Sequence, residues 1–394
     1  MRTGFVPLML ALAVRMAAQS AGPSPIGFAD TLLFSDGPHY AGFGYAGPAP
    51  LFVQAWFPLG GTMARPLGRR GPNNLRFHEL RRPALPASLV PVYQQLLLRM
   101  DSAFVEYCLR YPFDGDDPID YGPFTEQQVK DSLFALGTHA HGAVLPLHGE
   151  RPVIVYHHGS QGMSDENVWM AEHFAANGYI FLSCNFHWPL EGATYGTPLA
   201  WEPDHGSMRS ILRFARQVAD GNKVFYIGHS WGAQEGWCTL HEPGLADAFI
   251  SLETTMEWKT DTAEVRDKWP HVLDAITTHH YPMPILMVAD SDGEPPYPLF
   301  KGVRGEVRYL DPKRPFGHES YTSAYLMRRA GEGRFALPDG EALRAQADLY
   351  AAMLDELLAF LQEQCGRPVT RPVQRQDDPF HRAGPGGSAV QGPR

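Results

Sequence analysis

Gly228-His229-Ser230-Trp231-Gly232 has the pattern that activates a serine hydroxyl as a nucleophile. It directly follows the apolar run VFYI at 224–227 and directly precedes a stretch, 231–240, that reads as a helix. At so sharp a strand-to-helix turn the serine backbone is strained, and flanking glycines remove Cβ atoms that would collide. The turn lifts the Ser230 hydroxyl above the sheet edge, at the positive end of the following helix. The bland alternative is a glycine-rich turn without chemistry, but the strand before the motif and the small Ala233 after it favour the nucleophile.

A serine at neutral pH is a weak nucleophile and needs a base and an orienting acid. The histidines downstream are His241, His271, His279, His280, His318 and His381. His381 falls in a Pro/Gly-rich tail, His241 follows the nucleophile helix, and the 271–280 group precedes the strand expected to carry the acid. His318 remains, in RPFGHESY, between strand-like 306–310 and helical 320–329. A carboxylate just past a late strand can accept its Nδ1 proton. ADSDG follows the strand PILMV, so Asp292 is favoured as the acid; Asp290 and Glu253, the latter just after AFISL, remain alternatives. A tetrahedral oxyanion needs two fixed N–H donors. The amides expected to supply them are those of Trp231 and of Ser160, in HHGSQG after the strand VIVY.

These residues need a scaffold of alternating strands and helices. Strands are expected at 51–57, 153–156, 179–184, 224–227, 248–252, 285–288 and 306–310. Helices are expected at 87–109, 164–177, 208–218, 231–240 and 341–364. In 164–177, Ser164 or Asp165 can cap the start and Gly178 the end. Strands alternating with helices of 10–15 residues predict βαβ units and a parallel sheet covered on both faces. The fold class is α/β. The stretch 60–149 is long for a connection, and Tyr93, Leu97, Met100, Phe104, Tyr107 and Tyr111 recur in it at near-helical spacing. It is expected to pack, either completing the core or walling a substrate pocket.

The chain has 394 residues, 44% of them hydrophobic, which is enough for a full core. A net charge of −10 without a basic stripe argues against a nucleic-acid partner. Residues 1–21 combine a basic start, an apolar run and small residues, as in a secretory signal, which would make the protein secreted or periplasmic. No later segment is long enough to span a bilayer. Residues 366–394, rich in Pro, Gly, Arg and Gln, are expected to be a disordered tail after a hydrolase domain at 26–365. Cys108, Cys184, Cys238 and Cys365 share no CxxC spacing, so neither a zinc site nor an obligatory bridge is expected. No cofactor is expected either, since no glycine cluster has dinucleotide spacing. His139 and His141 have metal-ligand spacing if extended, but no carboxylate pattern accompanies them.

The ordered run HHGSQG, GHSWG, ADSDG and FGHES resembles the α/β-hydrolase superfamily. Within it the sequence is similar to the platelet-activating-factor acetylhydrolase-like and dienelactone-hydrolase-like esterases. Ala55-Trp56-Phe57-Pro58 is similar to the W-Y-P that opens such proteins, and a serine and an aromatic follow His318 two and three residues on. The sequence departs from that branch in 60–149, and in Ala289 where a glycine is common before the acid. The resemblance implies a mostly parallel central sheet and a Ser-His-Asp triad, but not the substrate. Cleavage of a small carboxylic ester through an acyl-enzyme is expected because an alkoxide leaves more readily than an amine, and 60–149 is read as an N-terminal insertion. The same triad could serve a thioesterase, amidase or acyltransferase. Rivals from other classes are a metal-dependent hydrolase using His139 and His141, and a non-catalytic binding protein.

Overall fold

The computed structural model describes residues 25–59, 85–105, 107, 125–128, 131, 138–146, 151–160, 163–186, 202–290, 295–312, 316–328, 340–368 and 379–383. Residues 1–21 and Asp292 lie outside them, as do Cys108 and Tyr111. Cys184, Cys238 and Cys365 are free thiols.

At the centre of the sheet are five short strands, β4 (Val153–His157), β5 (Ile180–Ser183), β6 (Val224–His229), β7 (Ala248–Leu252) and β8 (Ile285–Val288). All are buried along their whole length, as parallel strands sandwiched between helices must be. Side chains alternate across a strand, so one run feeds two cores. Ile154, Tyr156, Phe225, Ile227, Ile250 and Leu252 enter one hydrophobic cluster. Val153, Val155, Val224, Tyr226, Phe249 and Ile285 enter the other. The first is covered by α2 (Val168–Ala176) and α7 (Gly340–Gln364), the second by α3 (His205–Ala219), α4 (Trp231–Thr239), α5 (Thr262–Lys268) and α6 (Pro270–Thr278).

With β1 (Ile26–Gly42), β2 (Tyr45–Pro58), β3 (Ala140–Gly142), β9 (Val307–Pro312) and β10 (Phe380–Ala383), the described residues form a ten-stranded sheet in the order β10-β9-β8-β7-β6-β4-β5-β2-β1-β3. The pairs from β5 to β9 are parallel; β1–β2, β2–β5 and β9–β10 are antiparallel.

Three elements differ from the sequence reading. The β1–β2 hairpin extends far beyond 51–57, through a segment rich in Gly and Pro, residues usually scarce in strands. Its two-residue turn places Phe43 at φ 50° and Gly44 at φ 81°, a primed turn whose usual Asn or Asp is replaced by phenylalanine. The helix expected from 164 begins only at Val168, after Asn167. Residues 164–167 are buried and turn their polar groups across the core: Ser164 donates to Gln54 and Asn167 to the Tyr321 carbonyl. The expected tail also contains structure, because β10 pairs with β9. Phe380 fills the first cluster, and Arg382 forms a two-bond pair with Glu356 on α7. Neither contact is visible in local composition.

From the 60–149 stretch, α1 (Val90–Val105) lies on the hairpin, with Val92, Tyr93, Leu96 and Met100 packed against Phe52.

Phe380 is 2% exposed. Phe380→Ala should therefore cost about 3 kcal/mol of unfolding free energy, read as a lower urea midpoint. An unchanged midpoint would mean that the segment is an unattached tail.

Candidate active site

Ser230 sits between β6 and α4 with φ 53° and ψ −116°, a conformation L side chains rarely adopt. Two features hold it there. The Ser230 amide donates to the carbonyls of Leu252 (3.0 Å) and Glu253 (3.1 Å), at the end of the neighbouring strand β7. The flanking glycines permit backbone contact: a Cβ on Gly228 would overlap the Gly232 carbonyl, and one on Gly232 would overlap the carbonyl oxygen of His157. The end of β4 is thereby pressed against the turn.

His318 comes to Ser230 on the loop after β9. Its Nε2 lies 2.8 Å from Ser230 Oγ, and its Nδ1 lies 2.7 Å from Glu253 Oε1. The carboxylate can only accept, so Nδ1 carries a proton. One edge of the imidazole remains open, the side chain being 20% exposed, while Glu253 is buried. Burial alone would lower the histidine pKa. The Glu253 carboxylate, helped by Glu319 and Glu257, outweighs it and lifts His318 to about 9.

Glu253 is one of the two alternatives to Asp292 read from the sequence, and it is the described carboxylate that meets the ring. It stands at φ 42°, with its amide bonded to the Val288 carbonyl. The turn beyond it is built around buried Glu257, which accepts from the amides of Thr254 and Met256 and from the Thr254 hydroxyl. Burial and the nearby Glu253 charge push Glu257 up to about 7. Sheet register puts Glu253 there: β6 and β7 pair with His229 opposite Leu252, so the next residues, Ser230 and Glu253, continue side by side, which no local sequence signal shows.

Asp290, the other alternative, holds the loop that carries His318. Its Oδ2 accepts from the Phe316 amide (2.6 Å), and its own amide donates to Tyr321 Oη (3.0 Å).

Of the two expected oxyanion donors, Trp231 heads α4 and Ser160 follows β4, next to the turn. The Gly159 amide in the same loop donates to Glu166 Oε1 at 3.1 Å. Buried Glu319, beside His318, accepts from Tyr107 Oη at 3.1 Å, so the 60–149 stretch reaches the surroundings of His318. The sequence reading missed Glu166, Glu257 and Glu319.

His139 and His141 do not join this site. His139 pairs with Glu172 on α2 at 3.0 Å, which raises its pKa, while His141 is exposed. Among the described residues no group of three or more His, Cys, Asp or Glu could hold a metal ion.

No protein-family model and no curated protein matches the sequence. A ferulic acid esterase from Streptomyces cinnamoneus superposes on 91% of this chain and 96% of its own, with a TM-score of 0.52 at 17% identity. The chain has the α/β-hydrolase fold. Shorter overlaps occur with a Butyrivibrio proteoclasticus protein solved with ferulic acid bound (TM-score 0.33, 17% identity, 49% of this chain and 93% of that one). A dienelactone hydrolase from Klebsiella pneumoniae, itself assigned provisionally, gives a TM-score of 0.32 at 15% identity over 50% of this chain and 87% of its own. In this α/β-hydrolase fold the Ser230 turn, Glu253 and the His318 loop follow the ends of β6, β7 and β9. No described helix is long and apolar enough to cross a membrane.

Because the atom facing Gly232 is a backbone carbonyl and cannot swing aside, Gly232→Ala should separate β4 from the elbow. We expect at least a hundredfold loss of kcat, as for an ångström-scale misplacement of catalytic groups, roughly 10²-fold, or loss of folding on a thermal melt. Wild-type kcat and melting together would show that the close approach does not matter.

Proposed function

We propose that the chain is a serine hydrolase that cleaves carboxylic esters through an acyl-enzyme on Ser230. The observation that carries this reading is the unbroken line from Ser230 Oγ through His318 to Glu253, at 2.8 and 2.7 Å. Once Nε2 is free of its proton it accepts the one on Ser230 Oγ, as Oγ attacks the ester carbonyl. The amides of Trp231 and Ser160 receive the oxyanion. His318 then returns the proton to the leaving alcohol, and water repeats the sequence to free the acid. Glu253 keeps Nδ1 protonated and stabilises the imidazolium. Esters are preferred because an alkoxide leaves more readily than an amine, and the esterase that superposes on nearly the whole chain supports the same class. The α1–Tyr107 segment forms part of the pocket wall in this reading, supported by the Tyr107–Glu319 contact. Export by the 1–21 leader belongs to the same proposal.

Ser230→Ala should lower kcat toward p-nitrophenyl esters by about 10⁴-fold or more and abolish fluorophosphonate labelling, with an unchanged melt. Retention of a few per cent of wild-type kcat would remove Ser230 as the nucleophile.

The pH profile tests the acid. Only the neutral imidazole accepts the serine proton, so kcat/KM should rise with pH through the His318 pKa, on a limb reaching toward 9. Glu253→Gln removes the charge that lifts this pKa and leaves burial to lower it. The limb should move to lower pH while the plateau falls about 10⁴-fold through the wrong tautomer. Asp292→Asn should do neither. A limb that stays in place in Glu253→Gln, or a collapse in Asp292→Asn, would return the acid to the ADSDG loop.

A further inference from the structure

A second histidine–glutamate pair lies behind the proposed triad. His229, the residue before Ser230, is fully buried, with its ring 5.1 Å from that of His318. Its Nε2 donates to the backbone carbonyl of His318 at 2.9 Å; a carbonyl only accepts, so that nitrogen carries a proton. Its Nδ1 lies 3.4 Å from Glu166 Oε1, an ion-pair separation too loose or misaligned to count as a hydrogen bond. Glu166 Oε1 also accepts from Tyr156 Oη (2.6 Å) and from the Gly159 amide (3.1 Å), in the loop that carries Ser160. The Glu166 carbonyl accepts from the Ser323 hydroxyl and the Ala324 amide, both at 2.9 Å, just past the His318 loop. Although burial pushes the Glu166 carboxyl upward, His229, His158 and Tyr156 hold it below the usual range.

We propose that Glu166 and His229 are positioning residues that set the His318 backbone and the Ser160 oxyanion loop in one register beneath Ser230. The proposal rests on the hydrolase reading above. Two parts of the machinery must hold a common geometry here: the base, on the loop after β9, and the oxyanion donor, on the loop after β4. They are far apart in sequence, and Glu166 Oε1 is within reach of both, directly through the Gly159 amide and through the imidazole of His229. A buried pair of ionisable side chains adds little net stability compared with apolar packing of the same volume. A role in geometry accounts for ionisable groups at positions where a hydrophobic residue would fill the same space.

The test compares His229→Leu, His229→Gln and Glu166→Gln with wild type. His229→Leu keeps the volume but removes the donor to the His318 carbonyl. We expect kcat to fall about 10²-fold, as for an ångström-scale misplacement of catalytic groups, with KM within about twofold because the pocket wall is untouched. His229→Gln returns an N–H near the place of Nε2 and should recover most of the loss. Glu166→Gln keeps an oxygen for Tyr156 and Gly159 but loses the charge, and should fall between. If His229→Leu does not fold, the comparison of His229→Gln with Glu166→Gln still decides: a fully active Glu166→Gln would overturn the pairing. A folded His229→Leu with wild-type kcat, or a His229→Gln as impaired as the leucine variant, would overturn it too. Fluorophosphonate separates the two levels. If wild-type Ser230 fails to label, the hydrolase reading falls and this inference with it. If wild type labels and His229→Leu labels at the same rate, only the inference falls.

Discussion

The active-site geometry depends on the tie between two strained residues at the ends of adjacent strands. Ser230 and Glu253 both have positive φ, and the Ser230 amide bonds to the Glu253 carbonyl. Neither conformation is favourable for its residue type, so surrounding structure must over-determine both. Parallel pairing of β6 with β7 contributes to that determination, because His229 opposite Leu252 leaves the next residues adjacent. Backbone packing of β4 against Gly232 constrains the Ser230 turn further. The proposed nucleophile and acid are thus set by sheet register, and only the proposed base arrives on a loop.

That arrangement gathers negative charge in a buried place. Glu166, Glu253, Glu257 and Glu319 are all buried, and they surround the imidazoles of His229 and His318. Four carboxylates cannot all remain ionised in such a volume without large cost. The structure distributes the load. Glu257 and Glu319 are pushed upward, Glu166 is held down by His229, and His318 is pushed up by Glu253. One consequence is chemical: a base with a raised pKa is stronger when deprotonated, but fewer copies are deprotonated at neutral pH.

The α/β class and most central elements were legible because each rests on a local signal, and the signals at Ser230 and His318 pointed to two residues that the fold brings together. Buried β-branched runs mark the strands, a helical stripe marks α3, and paired glycines mark the elbow. The long β1–β2 hairpin was hidden by its Gly and Pro content and by a turn with Phe43 in place of the usual polar residue. The role of 164–167 was hidden because polar residues before a helix look like caps, whereas here they bond across the core. β10 was hidden in a tail whose composition looks disordered, and whose Phe380 finds its partners only in the folded sheet. Glu253 was weighed but not preferred, since strand neighbourhood is a tertiary property and two aspartates in one short loop made the louder local signal.

The contrast between Glu253 and Asp290 shows how strand order sets what a carboxylate at each strand end meets. Both follow sheet strands, but β7 adjoins the nucleophile strand, whereas β8 is one strand further out. A carboxylate at the end of β7 is close to Ser230 and needs a side chain long enough to meet the imidazole, which glutamate has. At the end of β8, Asp290 meets the arriving loop before it reaches the ring. Its bonds are accordingly to backbone and hydroxyl, with Phe316 on one side of His318 and Tyr321 on the other. The two acids therefore divide the handling of a single histidine. Asp290 fixes the loop on both sides of it, and Glu253 meets the ring. Strand order, more than acid strength, decides which task falls to which residue.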